Sequence, residues 1–487
     1  MNKNNKSFAK NAIFNVIYKI MNIIFPLITT IYISHVLMAR GVGKVSTAQN
    51  IVQYFVLLAP MGIPVYGTRE IAKIRDKKNK TDRLFTELFI INFFSTLCCS
   101  ILYYCIILFV PYFSDERLLY IVTGLPIVFN FINVEWYYQG NENYVYIAVR
   151  SVAVKFLSLI AIFIFVRNKD DYIIYAFIYT LGIAGNYVFN LINLVKSEVR
   201  LNYNKLNFTR HLKAILVLLC SNIAIELYTL LDTTMLGIWC SAEIVGYYTN
   251  SIKLVRIVVT LIAAIGGVLL PRLSYYIEQG RLNDCNALIS KVTQIIFLFA
   301  VPCGIGIFLL ADNLVLLMFG ETFMPAIYTI RIATILIYVL GFSNLFGTQV
   351  LLSFGQEKKL LLCTCVGAVS NIILNSILIP TYQHNGAVVA SVISESLVTL
   401  LTIIFVHKYI CLEISCKYYF QVIFSGIGMG VIVYVLKLLL NNKLISLMLS
   451  ILVGAIVYFV INILVKNPIV IDARTVIKSK ILVKKRQ

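Results

Sequence analysis

The fold is decided by the stretch VGYYTNSIKLVRIVVTLIAAIGGVLLPRLSYY, residues 245–276. It is long and apolar enough to cross a bilayer as a helix, which takes about 20 residues. Its first half nevertheless carries Lys253 and Arg256. A charge near the bilayer centre costs at least about 2.5–3.5 kcal/mol when it faces lipid. We therefore expect both side chains to face a protein interior or a water-filled cavity.

The composition indicates that the rest of the chain is also in the membrane. Of the 487 residues, 60% are hydrophobic and 13% are charged, and the mean hydropathy is +0.86. Soluble domains average about 25% charged residues. Apolar runs predict an all-α polytopic membrane protein with about fourteen transmembrane helices. The predicted spans are 12–37, 45–68, 84–111, 117–137, 145–166, 172–195, 213–238, 245–271, 290–311, 325–352, 359–380, 386–407, 418–438 and 444–465.

The charge distribution predicts the orientation. The formal net charge is +20, from 42 Lys and Arg against 22 Asp and Glu. In a soluble protein this excess would suggest nucleic acid, but membrane proteins keep Lys and Arg in cytoplasmic loops. The loops near 239–244, 312–324 and 381–385 contain neither residue, whereas the start, the tail and the loops near 69–83 and 196–212 are basic. Both termini are therefore predicted to be cytoplasmic, with the first apolar segment kept as a permanent span.

A weak internal repeat organises the spans. Residues 42–74 align without a gap with residues 245–277, so that Gly43 pairs with Gly246. A second similarity, between 139–142 and 354–357, has nearly the same separation. The first six spans and the next six are then two copies in the same orientation, as in parallel transporter repeats. The predicted domains are an N-terminal lobe 1–212, a C-terminal lobe 213–410, and 411–487 with two more helices and a basic cytoplasmic tail.

Polar side chains recur at helical spacing in spans one, two, seven and eight, which correspond in pairs under the repeat. Packing all four polar stripes inward would surround one central cavity. Cationic residues there suit phosphate and carboxylate groups, and carboxylates there suit coupling to an ion or proton. The predicted cavity residues are Lys19, Asn22, Asn50, Gln53, Lys253 and Arg256, with Glu226 and Asp232 as coupling carboxylates. Arg69 and Arg272, at the cytoplasmic ends of spans two and eight, are predicted to hold headgroup phosphates or close a gate.

Structural roles remain open for these residues. Asn, Ser and Thr in membrane helices commonly form hydrogen bonds between helices. Lys19 could pair with Glu226 or Asp232, and Lys253 and Arg256 could reach towards the outer interface. Arg69 and Arg272 could serve only as cytoplasmic anchors. Structural or interfacial roles are favoured for Glu87, Arg150, Lys155, Arg331 and Glu395.

The sequence contains no motif for chemistry. Neither GxxxxGK[ST] nor HExxH occurs. The 11 cysteines and 4 histidines lack the spacing of a metal site. No external loop is long enough for a catalytic domain. We therefore expect no cofactor, no metal and no enzymatic activity.

Several stretches, taken in order, resemble the Wzx-type polysaccharide flippases of the multidrug/oligosaccharidyl-lipid/polysaccharide exporter superfamily. They are EWYYQGNENYVYIAVRS (135–151), the opening stretch (245–276), GTQVLLSFGQEKKLLL (347–362) and NIILNSILIPTYQHNGAVVASVISE (371–395). The resemblance implies fourteen helices, two six-helix lobes and a central cavity. By location, the family's cationic cavity matches Lys19, Lys253 and Arg256. Span two has the neutral Asn50 and Gln53 where span eight is charged, so any cationic site is one-sided.

The resemblance also implies a function. It predicts transfer of undecaprenyl-pyrophosphate-linked oligosaccharide from the cytoplasmic to the outer leaflet of the bacterial inner membrane, for O-antigen or capsule. Alternating access coupled to an ion or proton gradient would drive it. Partners would be the lipid-linked glycan, membrane lipid, and a polymerase and chain-length regulator, with no nucleic acid. The alternatives are a cation-coupled multidrug antiporter, which would favour an acidic or aromatic cavity, a membrane polysaccharide polymerase or ligase, and a structural scaffold.

Overall fold

The computed structural model describes residues 3–196, 199–204, 206–266, 269–410 and 415–472. Side chains are described from Met21 onward, except at residues 196, 221, 222, 224, 225, 227, 228 and 265. Within these ranges every regular element is a helix. The α-helices are α1 (Lys3–Leu58), α2 (Ile63–Ile74), α3 (Lys78–Phe109), α4 (Arg117–Thr123), α5 (Leu125–Phe129), α6 (Glu135–Gly140), α7 (Tyr144–Phe165), α8 (Tyr172–Lys196), α9 (Thr209–Trp239), α10 (Ala242–Gly266), α11 (Leu269–Glu278), α12 (Leu282–Met318), α13 (Ala326–Ala333), α14 (Ile335–Ser343), α15 (Glu357–Val406), α16 (Cys416–Leu439) and α17 (Lys443–Leu464). A π-helix, Asn344–Leu351, continues α14.

The helices confirm an all-α multi-pass membrane protein. In the described part of the chain, 10 helical segments are long and apolar enough to span a bilayer. Large apolar side chains lie on their outer surfaces, and on α16 they recur at helical spacing. Exposed residues of that face are Phe420, Phe424, Ile427 and Val431. Contiguous exposed apolar faces of this kind suit contact with lipid.

Two of the long helices are bent where the sequence predicts a boundary between spans. In α1 the residue Met38 has φ 57°, and in α15 the residue Gln383 has φ 50°. A positive φ is uncommon outside glycine and interrupts helical geometry. The interruptions fall between the predicted spans 12–37 and 45–68, and between 359–380 and 386–407. The total of fourteen spans stays a prediction.

The predicted span 117–137 is a series of short helices. It contains α4, α5 and a 3₁₀ turn, Asn130–Ile132. Pro126 lies in the first turn of α5, where its missing N–H cannot continue the hydrogen bonding of α4. The segment still contributes buried apolar side chains such as Leu119 and Ile127.

The chain forms two compact units, residues 1–246 and 247–487. In the first unit, α1 packs against α7, α8 and α9, and α2 packs against α3 and α6. Phe85, Leu88 and Trp136 form part of its core. Since α9 contacts α1 and α2, the contact-based division falls after α9. The lobes predicted from the repeat, 1–212 and 213–410, stay a prediction.

In the second unit, α12 is the central helix and contacts α13, α14, α16 and α17. The Tyr458 hydroxyl donates to the Leu298 carbonyl at 2.7 Å, and the Tyr418 hydroxyl donates to the Gln294 carbonyl at 2.7 Å. Small residues let the helices approach closely, as is usual in membrane bundles. A Cβ added at Gly426 would lie 2.6 Å from a Val301 methyl group.

A backbone-to-backbone crossing joins α1 to the start of α10 within the first unit. A Cβ added at Gly43 would lie 1.6 Å from the Ala242 carbonyl oxygen. A Cβ added at Gly246 would lie 2.3 Å from the Ala39 carbonyl oxygen. No side chain fits at such a distance, so this glycine crossing requires glycine at both positions. These are the two glycines that the sequence repeat pairs.

Candidate functional site

The polar stripe of span two contacts α9 directly. The Asn50 side chain is buried, and its amide donates to the Thr234 hydroxyl at 2.7 Å and to the Leu230 carbonyl at 3.2 Å. The hydroxyl of Tyr54 lies 2.7 Å from that of Thr234. These bonds link two membrane helices, so Asn50 has a demonstrable packing role. Gln53, next to Tyr54 in the chain, is exposed.

The two predicted coupling carboxylates lie on α9. Asp232 is buried, at 7% relative exposure, while Glu226 is partly buried. One Glu226 oxygen lies 3.4 Å from the donating Thr229 hydroxyl. Asp232 is two residues from Thr234, which contacts Asn50 and Tyr54. The predicted carboxylate Asp232 and the predicted cavity residue Asn50 thus lie on α9 and α1, two helices that contact each other within the first unit.

The two cations of the opening stretch lie on the free face of α10 in the second unit. Lys253 and Arg256 are both exposed. Their neighbours Asn250, Leu254 and Val255 are buried, so α10 packs on its other face. Residues three apart on a helix have Cβ atoms about 5–6 Å apart. Two cations at this spacing can contact two linked anionic groups at once.

Two of the predicted cavity residues, Lys19 and Asn22, lie in the first span, and the structure describes the side chain of Asn22. Asn22 accepts a hydrogen bond from the Lys155 ammonium group of α7. Lys155 was expected to be structural, and this contact joins α1 to α7. The side chain of Lys19 lies outside the described residues, as does any pairing of Lys19 with Glu226 or Asp232.

The predicted gate arginines both lie in short helices that follow a long one. Arg69 in α2 is exposed and its Nε donates to Glu70 at 3.1 Å. Burial alone would raise the pKa of the Glu70 carboxyl, but hydrogen bonds and charge from Lys73 and Arg69 outweigh it and lower that pKa. Arg272 in α11 is exposed and donates to the Tyr276 hydroxyl at 3.2 Å. Their exposure is compatible with either headgroup contact or anchoring.

A buried ion cluster near the start of α3 could not be found from the sequence. Glu87 is fully buried and accepts hydrogen bonds from Arg83, Arg210 and His211, and from the Asn207 backbone N–H at 2.8 Å. Arg210 and His211 are 123 and 124 residues away in the chain, so no local pattern signals the pairing. Glu87 joins the first turn of α9 and the residue Asn207 before it to α3, which fits the structural role expected for it.

A second cluster joins α6, α7 and α8. Arg150 is buried, and its guanidinium donates to Glu135 at 2.7 Å, to Asn186 at 3.2 Å and to Asn190. These contacts pair the charge and the N–H donors of a buried guanidinium, whose burial without partners would cost free energy inside a membrane protein. It supports the structural role expected for Arg150. Among the residues that the structure describes, no group of His, Cys, Asp and Glu could hold a metal ion.

The sequence matches a family model described as "Polysaccharide biosynthesis protein" over residues 8–277. It is also similar to a protein of Escherichia coli (strain K12) named "Putative O-antigen transporter". The two are 24% identical over 415 residues, which cover 84% of this chain and 99% of that protein.

Two solved structures share the fold. One is titled "Lipid II flippase MurJ, inward closed conformation", with a TM-score of 0.75 and 14% identity over 93% of this chain and 99% of that one. The other is an inward-facing multidrug resistance MATE family transporter of the MOP superfamily, with a TM-score of 0.65 and 14% identity over 79% and 93%. At these identities the likeness concerns the fold alone.

Proposed function

Because the chain belongs to the polysaccharide biosynthesis protein family, we propose that it is a flippase for a polyprenyl-pyrophosphate-linked oligosaccharide. The family match confirms the resemblance to the Wzx-type flippases of the exporter superfamily. In this proposal the protein lies in a bacterial inner membrane with both termini in the cytoplasm. It delivers repeat units to the outer leaflet for O-antigen or capsule, upstream of a polymerase and a chain-length regulator.

The observation that carries the proposal is the cationic face of α10. Lys253 and Arg256 are exposed on a helix inside an apolar span, where a charge facing lipid is costly. A ligand bearing two linked phosphates offsets that cost and uses both charges. A drug cation would be repelled by this face. The charge pattern therefore favours an anionic headgroup over the cargo of a multidrug antiporter.

The proposed cycle follows from the chemistry of the cargo. Glycan and pyrophosphate enter an aqueous cavity from the cytoplasm while the polyprenyl tail stays in lipid. The lobes rock, and the headgroup meets Lys253 and Arg256 in the outer half. Span two supplies polar, neutral contacts through Asn50 and Gln53, and Lys19 and Asn22 belong to the same predicted cavity. Arg69 and Arg272 act at the cytoplasmic mouth.

The proposal is tested by locating the repeat units in a strain lacking this gene. A flippase predicts loss of surface polysaccharide and accumulation of lipid-linked repeat units that outside-added glycosidases cannot reach. Lipid-linked units that these enzymes do reach would instead indicate a polymerase or ligase. Unchanged surface glycan with altered drug susceptibility would favour the antiporter. Re-expression of the wild-type chain must restore the glycan.

Coupling is proposed to use Glu226 and Asp232. Protonation or ion exchange at these carboxylates would reset the carrier after release. We expect the double variant Glu226→Gln/Asp232→Asn to lower surface glycan about tenfold or more, a loss equivalent to about 1.4 kcal/mol. It should also abolish the ion or proton flux that accompanies transport in vesicles. Glu357→Gln, an exposed carboxylate at the start of α15, is the control. Normal glycan and unchanged flux in the double variant would contradict the assignment.

A further inference from the structure

A pocket of about 390 Å³ lies within the first unit, where several helix ends meet. Its walls come from the kinked middle of α1, the connection before α4, and the connection between α9 and α10. Lining residues that matter here are Arg40, Lys44, Tyr112, Asp115, Glu116 and Cys240. None of them belongs to the predicted transport site. The pocket adjoins the glycine crossing, since Ala242 lines it too.

Two of the charged groups in the pocket hold each other in place. Lys44 forms an ion pair with Glu116, and the Tyr172 hydroxyl donates to the other Glu116 oxygen at 2.9 Å. The Lys44 ammonium also lies 4.5 Å from the centre of the Tyr172 ring. These contacts engage the Lys44 ammonium and both oxygens of Glu116. Lys44 and Glu116 therefore form a fixed polar wall.

Two other charged groups keep hydrogen-bonding capacity for a ligand, although Arg40 also forms a loose ion pair with Glu243. The Arg40 side chain is 72% exposed, and its Nε is 3.7 Å from the nearest Glu243 oxygen, which is beyond hydrogen-bond length. Asp115 is exposed and accepts only the adjacent Ser114 hydroxyl, at 3.2 Å, among the described residues. The pocket thus offers a planar donor group and a carboxylate acceptor.

An aromatic surface completes the lining. Tyr112 is 47% exposed and donates its hydroxyl to the Gly237 carbonyl at 2.6 Å, which fixes the ring. Tyr120, also in the lining, packs against Phe113. Aromatic rings present an apolar face with a polar edge. Such a face suits the C–H surface of a sugar ring, whose hydroxyls need both donors and acceptors.

We propose that this pocket binds an uncharged sugar residue of the transported glycan. The lining holds two cations, Arg40 and Lys44, and two carboxylates, Asp115 and Glu116. Their charges cancel, so the pocket favours a neutral polyhydroxylated ligand over an anion. The volume lies near the lower end of the range for small-molecule sites, about 300–1,000 Å³. This inference rests on the proposed function, because the sugar belongs to the glycan that the flippase would carry. The orientation predicted from the charges places these helix ends on the outer side of the membrane, where that glycan would be released.

Cys240 gives a direct measurement of occupancy. It lines the pocket and is partly buried, and burial raises the pKa of its thiol. Maleimide labelling therefore needs mildly alkaline buffer. The full chain, with every other cysteine replaced by serine, is reconstituted in nanodiscs and labelled at Cys240. The probe is the oligosaccharide repeat unit released by mild acid from the host's own surface polysaccharide, with acidic sugars carboxyl-reduced.

We expect the neutral repeat unit to slow labelling of Cys240 about tenfold at about ten times its Kd. Tyr112→Ala and Asp115→Ala should abolish this protection. Asp170 is an exposed carboxylate outside the pocket, so the control variant Asp170→Ala should keep the protection. Labelling of a chain whose sole cysteine is the exposed Cys416 should not respond to the sugar.

The inference is overturned if the sugar gives no protection, if protection survives in both pocket variants, or if only the unreduced acidic fragment protects. Its failure is separable from failure of the proposed function. A deletion strain that loses surface glycan while Cys240 stays unprotected would refute the pocket alone. Protection of Cys240 combined with normal surface glycan in the deletion strain would refute the flippase and leave a sugar-binding site.

Discussion

Export of surface glycan is expected to be lost when Lys253 and Arg256 are both replaced by alanine. Both side chains are exposed on α10, whereas the opposite face of this helix is packed. Their removal deletes the two charges that would meet the pyrophosphate, and charge-assisted hydrogen bonds are worth roughly twice neutral ones. Removing exposed charges from an apolar span should not impair insertion. The measurement is surface polysaccharide in a deletion strain expressing the variant, with membrane content of the protein determined in parallel.

The matched control removes two cations elsewhere in the same unit. Lys358 and Lys408 are exposed outside the buried core, and the double alanine variant lowers the net charge by the same amount. It should export normally. A single Lys253→Arg change keeps the charge and should retain more export than Lys253→Ala. Normal export by the Lys253→Ala/Arg256→Ala chain would leave these residues with a structural or interfacial role.

The second large effect is expected from Gly43→Ala. The added methyl group would lie 1.6 Å from the Ala242 carbonyl oxygen and 2.5 Å from its carbonyl carbon. Backbone atoms cannot rotate away, so α1 and the start of α10 must separate. Overpacking typically costs about 1–3 kcal/mol, and a backbone clash belongs at the upper end. We expect a lower thermal unfolding midpoint in detergent and about a tenfold loss of export.

Gly306 supplies the control for this prediction. It lies in α12, and a Cβ added there meets no atom within 4 Å. Gly306→Ala should therefore leave stability and export near wild type, or stabilise slightly through the helix preference of alanine. If Gly43→Ala unfolds at the wild-type temperature and exports normally, the glycine crossing is not a close contact in the working protein.

Much of the fold follows from the sequence because the membrane imposes simple rules. Length and hydropathy predicted a helical multi-pass protein, and the quoted motifs predicted its family, both confirmed here. The interruptions at Met38 and Gln383 fall within a few residues of predicted span ends. The region 117–137 was harder, because a proline and short apolar runs do not reveal where a helix restarts.

The residues of the candidate site are harder to predict from the sequence than the fold is. The sequence placed Lys253 and Arg256 on one helix, and the structure exposes both; that they face a cavity stays a prediction. The hydrogen bond from Asn50 to Thr234 spans 184 residues, and the pairs of Glu87 and Lys44 are likewise long-range. A stripe of polar residues predicts which face of a helix is turned inward, but it does not predict which residue of another helix that face contacts. Whether such a residue binds cargo or another helix depends on that partner.

The glycine crossing has a consequence for the history of the chain. Gly43 meets Ala242, and Gly246 meets Ala39. The alignment of 42–74 with 245–277 pairs the two glycines, and the same offset, extended three residues before its start, pairs the two alanines. Such reciprocity is the mark of a two-fold interface between identical subunits. On the predicted repeat, a one-copy ancestor would need a single glycine for both sides of a homodimer, whereas the two-copy chain has to keep each glycine separately. Gly246→Ala should therefore also lower export in the same assay, by no more than Gly43→Ala, because its added Cβ would lie 2.3 Å rather than 1.6 Å from the facing carbonyl oxygen.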